Sequence, residues 1–138
     1  KQFSTLEVNI VIGAAIGGIL IAGSIGRYLG VNHIFTERIE GEMALRRGFE
    51  IQKNQNVLIV EDIVTTGGSI LEIIKVVENN GGNIIGVVSI IDRNEKLPNF
   101  GYPYFPLIQY PVKSYLESNC PDCNDGKPLY KPGRTGKR

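Results

Sequence analysis

The chain has no tryptophan, and its 138 residues include one histidine, one methionine and two cysteines. Two cysteines are too few for a disulfide scaffold, and a chain of this length can bury enough surface for one domain with a real core. The single histidine, His33, stands at a predicted strand start and is not read as catalytic. An excess of either charge is also missing: Lys and Arg total 15, Asp and Glu 14, for a net charge of +1. That balance argues against a general nucleic-acid binder or a protein drawn to acidic membranes. There is no initiating Met and no apparent signal peptide, so the chain is read as a fragment or processed form of a cytoplasmic protein.

Charge is wholly absent from residues 8–26, long enough in principle to cross a membrane. The composition favours another reading. Val8, Ile10, Val11 and Ile12 are β-branched and run into the cluster Gly13-Ala14-Ala15-Ile16-Gly17-Gly18. This predicts a strand, a tight loop and a helix over 17–29, ended by Arg27 and Gly30. No membrane is expected as a partner.

Further along, the pattern alternates. Strands are predicted at about 8–12, 33–37, 56–60, 84–91 and 105–110, helices at 17–29 and 68–80, and a long loop at 38–48. Ile70, Leu71, Ile73, Ile74 and Val77 give the second helix an apolar face, and Asn79-Asn80-Gly81-Gly82 stops it. Alternating strands and helices imply an α/β fold: a doubly wound, mainly parallel sheet flanked by helices. A core domain is read over 1–115 and an irregular tail over 116–138.

The most informative stretch is Val57-Leu58-Ile59-Val60-Glu61-Asp62-Ile63-Val64-Thr65-Thr66-Gly67-Gly68-Ser69. A short apolar run entering a glycine-rich turn before a helix reads as a buried parallel strand feeding an anion-binding loop. Thr65, Thr66 and Ser69 add hydroxyl donors, and Gly67 and Gly68 permit close backbone approach. Glu61 and Asp62 would repel a phosphate that they faced. They suit the hydroxyls of the same ligand, or a divalent cation held by oxygen. A phosphate at one end and a diol at the other describe a ribose 5-phosphate.

Residues 60–69 resemble the phosphoribosyl-diphosphate (PRPP) signature of the type I phosphoribosyltransferases, and the orotate phosphoribosyltransferases within them. The resemblance covers about residues 9–133. It implies that Glu61 and Asp62 hold the ribose hydroxyls, with Mg²⁺ bound mainly through water and PRPP. It also implies that Val64, Thr65, Thr66, Gly67, Gly68 and Ser69 form the 5-phosphate loop. Ala14, Ala15 and Gly17 fall in the loop that resembles the family's diphosphate site, which binds through main-chain amides. Some orotate enzymes carry a lysine where Gly17 stands. The long segment Thr36 to Phe49, which contains the predicted loop 38–48, resembles the family's mobile catalytic loop, in which a lysine reaches the neighbouring subunit's diphosphate. This loop has no lysine, so Arg38 is assigned to the diphosphate and Arg46 to the mobile cation. The alternative is a solvated hairpin whose arginines pair with Glu37, Glu40 and Glu42. Asp92-Arg93 resembles the pair whose arginine contacts the carboxylated pyrimidine, a fit to bidentate guanidinium chemistry, with Thr65 also at the base.

The resemblance implies transfer of ribose 5-phosphate from PRPP to orotate, in pyrimidine nucleotide biosynthesis, by a homodimer. The catalytic residues would be Asp62, Glu61 and Arg46. Family enzymes normally carry several tens of residues before the first βα unit. The alternatives are a purine or xanthine phosphoribosyltransferase and a non-catalytic regulatory protein of the same fold. The tail Cys120-Pro121-Asp122-Cys123 matches the CPxCxxGxPLxKPG form of short orotate enzymes over residues 120–133. The pair could be half of a zinc site, a disulfide or free thiols; a structural tail is favoured. Redox catalysis is not expected, because the motif sits in a Pro-rich tail rather than at a helix N-terminus.

Overall fold

β-branched residues fill the middle of the molecule, and their alternation sorts them onto two faces of one sheet. The computed structural model describes residues 7–128. In chain order the elements are β1 (Ile10–Ala14), α1 (Gly17–Leu29), β2 (Asn32–Ile39), β3 (Glu42–Leu45), β4 (Asn56–Val64), α2 (Gly68–Asn79), β5 (Asn83–Asp92) and β6 (Tyr104–Gln109). A 3₁₀ turn (Glu117–Asn119) and the one-turn helix α3 (Pro121–Asn124) follow. The strand order is β3-β2-β1-β4-β5-β6. Only β2 and β3 pair antiparallel; the other neighbours are parallel. This is the mainly parallel α/β sheet that the alternation of elements predicts.

One face carries Ile12, Ile59 and Val87 against Ile70, Ile73 and Val77 of α2. The other carries Val11, Leu58 and Val60 against Ala22 of α1. Gly18, Ala22 and Gly26 recur every four residues, so α1 lies close on the sheet along a stripe of small side chains. His33 packs there: a Cβ on Gly26 would stand 3.0 Å from the His33 Cβ, consistent with a structural histidine. Gly30, at φ 71°, ends α1 as expected. Among the described residues no helix is long and apolar enough to cross a membrane.

Three expectations need correction. The segment 38–48 is not a long loop but largely a β-hairpin, with Arg38 paired to Met43 and Ile39 to Glu42. Glu40 and Gly41 turn it with φ of 49° and 96°, the left-handed backbone that matches strand twist in a two-residue hairpin. Met43 and Leu45 then pack against the core, an alternation masked by the many charges around them. Second, β4 runs to Val64 rather than ending at residue 60, so both acids lie within the strand. Third, Cys120 does stand at a helix start, directly before Pro121 of α3.

The sheet also fixes where a ligand can sit. From β1 the chain passes through α1 to β2 on one side, while β4 lies on the other. The strand order therefore reverses between β1 and β4, and in such sheets ligands bind beyond the carboxyl ends of the strands at that reversal.

Candidate active site

The loop after β1 forms one wall of the crevice. Gly13 and Gly18 touch backbone to backbone; a Cβ on Gly13 would lie 2.5 Å from the Gly18 carbonyl oxygen. Ala14 is buried at the strand end. The Ala15 N–H donates to the Thr36 carbonyl at 2.8 Å, so this amide is engaged by β2 and not offered to a ligand. Gly17 and Gly18 open α1, where helix geometry leaves the first amides without intrahelical partners. A Cβ on Gly17 would stand 1.9 Å from Asp62 Oδ2. Glycine is therefore required at 17 to leave room for the acid across the crevice, a reason that the sequence alone does not show.

Alternation along β4 sends consecutive side chains to opposite faces. Leu58, Val60 and Asp62 point toward α1, and Val57, Ile59 and Glu61 toward α2. Glu61 is 6% exposed, whereas Asp62 is partly open to solvent. Burial pushes the Glu61 carboxyl up to about 7, and the neighbouring Asp62 side chain adds to the shift. Glu61 Oε1 accepts from the Asp62 N–H at 3.1 Å, and Asp62 Oδ1 from the Ile63 N–H at 2.8 Å. Val64 is buried and closes the strand.

Thr65 and Thr66 are exposed in the turn that follows. Gly67 has φ 79°, and a Cβ there would meet the Phe100 ring at 2.6 Å, so glycine is fixed on two counts. No side chain caps α2, and its first turn contains no acid. Its leading amides, from Gly68 and Ser69, thus face a small cleft lined by Glu61, Thr65, Thr66 and Gly67. An uncapped helix start beside three hydroxyls is suited to an anion.

The end of β5 supplies the far wall. Asp92 is fully buried and makes no ion pair with Arg93. Its Oδ2 accepts from the Tyr104 hydroxyl at 2.7 Å and its Oδ1 from the Asn94 N–H at 2.7 Å. Tyr104 also shares a 2.7 Å hydrogen bond with Ser89. Burial pushes the Tyr104 phenol above its ordinary range. The Arg93 N–H donates to the Val64 carbonyl at 2.9 Å, tying this turn to the end of β4. The Arg93 side chain lines a cleft of about 400 Å³ with Thr65, Thr66, Asn94, Lys113 and Tyr115. Lys113 and Tyr115 escape a sequence reading. They lie in the irregular segment after β6 and reach the cleft because Tyr110 N–H and Val112 N–H bond to the Asp92 and Arg93 carbonyls.

The hairpin arginines lie apart from this centre. Arg38 bonds to the Gly41 carbonyl and to Glu72 of α2, at 2.9 Å for the acid, so in this conformation it turns onto α2 and not toward a diphosphate. Arg47 makes two 2.8 Å bonds to Glu37 and lies 5.9 Å from the Phe35 ring centroid. The charge-paired hairpin, weighed above as the alternative, thus describes Arg47. Arg46 is exposed and makes no ion pair among the described residues.

Residues 5–105 match the model of the phosphoribosyl transferase domain. The chain is 46% identical over 133 residues to the orotate phosphoribosyltransferase of Caldanaerobacter subterraneus subsp. tengcongensis, spanning 96% of this chain and 70% of that protein. It is 48% identical over 132 residues to the orotate phosphoribosyltransferase of Thermoanaerobacter sp., with the same coverage of 96% and 70%. Among solved structures, adenine phosphoribosyltransferase from Rhodothermus marinus matches with TM-score 0.66 at 22% identity, over 78% of this chain and 73% of that one. The Mycobacterium tuberculosis orotate phosphoribosyltransferase in complex with Fe(III) dicitrate matches with TM-score 0.63 at 22% identity, over 78% and 66%. At such identities these two structures speak for the fold alone. Sequence and architecture agree, and the chain belongs to the phosphoribosyltransferase family, among its orotate phosphoribosyltransferases.

Proposed function

We propose that this chain forms the catalytic core that transfers ribose 5-phosphate from PRPP to orotate, yielding orotidine 5-monophosphate and diphosphate. One observation carries the reading: Thr65 and Thr66 line both the cleft at the α2 N-terminus and the cleft holding Arg93. A single ligand set can therefore place a phosphate on the helix start and a planar acid beside the guanidinium, with the ribose between them over Glu61 and Asp62.

In this reading the Gly68 and Ser69 amides and the Thr65, Thr66 and Ser69 hydroxyls hold the 5-phosphate. Glu61 and Asp62 hold the ribose hydroxyls and place negative charge near an anomeric carbon that becomes cationic as the diphosphate leaves. Gly17 and Gly18 offer amides to that diphosphate, while Ala14 and Ala15 shape the wall behind it. Arg46, exposed on the hairpin, is the cation free to swing toward the leaving group, and Arg38 can join it only by releasing Glu72. Arg93 and the Thr65 hydroxyl orient orotate, the guanidinium taking its carboxylate.

The donor set also suits Mg²⁺. Asp62 borders the gap that a Cβ at residue 17 would fill, Glu61 lies next to it in the strand, and among the described residues no group of three or more His, Cys, Asp or Glu forms a protein cage. A hard cation that keeps most of its water and takes oxygen from a phosphorylated substrate fits such a sparse site. When bound through Glu61 and Asp62 it supplies positive charge to the departing diphosphate. Homodimers are part of the proposal: α1 leaves Leu20 and Tyr28 80% and 89% exposed, apolar surface suited to a second copy.

A purine base is the second reading, because Tyr115 brings an aromatic face to the cleft. Arg93→Ala separates the two. The variant is expected to raise KM for orotate at least tenfold and leave KM for PRPP within about twofold, the loss of one charge-assisted pair at roughly 1.5–3 kcal/mol. Equal losses for both substrates would assign Arg93 a structural role.

A further inference from the structure

The one sequence motif left unused by this site is the cysteine pair, and the structure folds it into a tight knuckle. Cys120 is extended, at φ −81° and ψ 118°, and Pro121 begins α3. The Asn124 N–H closes the turn on the Cys120 carbonyl at 3.0 Å. The exit is fastened by the Lys127 N–H on the Asp122 carbonyl at 2.9 Å and by Lys127 Nζ on Asp122 Oδ1 at 2.5 Å. Neither cysteine is in a disulfide, and both are half-buried, so reagents can reach them.

Hydrogen-bonding groups surround the Cys120 sulfur. The Cys123 backbone and side chain, and then the Asp122 backbone, are the hydrogen-bonding groups that act on the Cys120 thiol. These donors hold the Cys120 thiol below its ordinary range, although Asp122 opposes them. Residues three apart across one turn also bring their Cα atoms to roughly the 5–6 Å that a disulfide spans. A metal is the less suitable occupant. Zinc needs four ligands, and among the described residues no third histidine, cysteine or acid joins the pair.

We propose that Cys120 and Cys123 form a reversible dithiol–disulfide pair that exchanges with small-molecule or protein disulfides. The Cys120 thiolate attacks one sulfur of the incoming disulfide and expels the first thiolate, which takes up the proton that Cys120 released. Cys123 then loses its proton and attacks the Cys120 sulfur of the mixed disulfide, and the second thiol departs. One S–S bond forms in the protein as one breaks in the oxidant, with two electrons and two protons passing to the two thiols.

The test equilibrates the full chain with mixtures of reduced and oxidised glutathione at neutral pH, followed by acid quench, alkylation and intact-mass analysis. The wild type is expected to lose two hydrogens in a single two-electron transition. Cys123→Ser is expected to accumulate a glutathione adduct at Cys120, and Cys120→Ser to react severalfold more slowly at Cys123. Thiols that stay open to alkylation at every ratio, or only glutathione adducts in the wild type, would overturn the proposal. So would faster reaction of Cys120→Ser than of Cys123→Ser. A parallel zinc titration gives no uptake if the pair is redox-active; one zinc per two chains that blocks oxidation would reassign it as a shared metal site.

Discussion

Glu61 is the side chain whose environment makes the sharpest demand on stability. It is buried next to a second acid, and its carboxyl is pushed up to about 7 from an ordinary 4.5. The folded protein therefore holds a proton that the unfolded chain releases near pH 4.5. The stabilisation is fully present below that value and is lost as pH rises through about 7. A shift of this size corresponds to a ceiling of about 3 kcal/mol at roughly 1.4 kcal/mol per unit. Water entering the open cleft screens the carboxylate, so an effect of about 1–2 kcal/mol is expected. Glu61→Gln keeps the shape and removes the titration. Urea denaturation of ligand-free protein at pH 5 and pH 8 measures the difference. Wild type should lose about 1–2 kcal/mol more than Glu61→Gln across that interval. Parallel losses would show that Glu61 is ionised throughout, and would refute the argument from burial.

Gly17→Ala places a Cβ where Asp62 Oδ2 now lies, at 1.9 Å, so the acid must move. Turnover should fall by one to two orders of magnitude at a stability cost of about 1–3 kcal/mol; unchanged kinetics would remove the Gly17–Asp62 contact from the account. Tyr104→Phe deletes the hydroxyl that donates to buried Asp92. It should cost about 1–3 kcal/mol in denaturation and raise KM for orotate more than for PRPP, because Asp92 also anchors the turn that presents Arg93. A PRPP-only effect would contradict that link. Mixing Arg46→Ala chains with Asp62→Asn chains should restore part of the activity if Arg46 serves the neighbouring subunit. No recovery in mixed dimers would leave Arg46 acting within its own chain or merely structural.

Features carried by local pattern were legible in the sequence. Apolar β-branched runs fixed β1, β4 and β5, the Gly30 stop fixed the end of α1, and the TTGGS turn fixed the start of α2. These placed the glycine-rich turn at the start of α2, whereas the acids, read as following the strand, lie within β4. What could not be read depends on contacts distant in sequence. Arg38 looks available until β3 folds back and α2 brings Glu72 to it. Ala15 looks like an amide donor until Thr36, 21 residues later, takes its N–H. The role of Gly17 exists only through Asp62, and that of Asp92 only through Tyr104. Lys113 and Tyr115 carry no periodic signal, because irregular chain is positioned here by two amides on the end of β5. The hairpin was missed because Glu-Gly is a weaker turn signal than Asn-Gly or Asp-Gly, and because its strands are dominated by charge.

The central claim is that one crevice holds PRPP and orotate together. Isothermal titration tests it directly: PRPP with Mg²⁺ first, then orotate, with adenine and hypoxanthine as controls. The account predicts PRPP binding, followed by orotate binding that is absent for the purine bases and lost in Arg93→Ala. Purine binding in preference to orotate, or orotate affinity indifferent to Arg93, would contradict it.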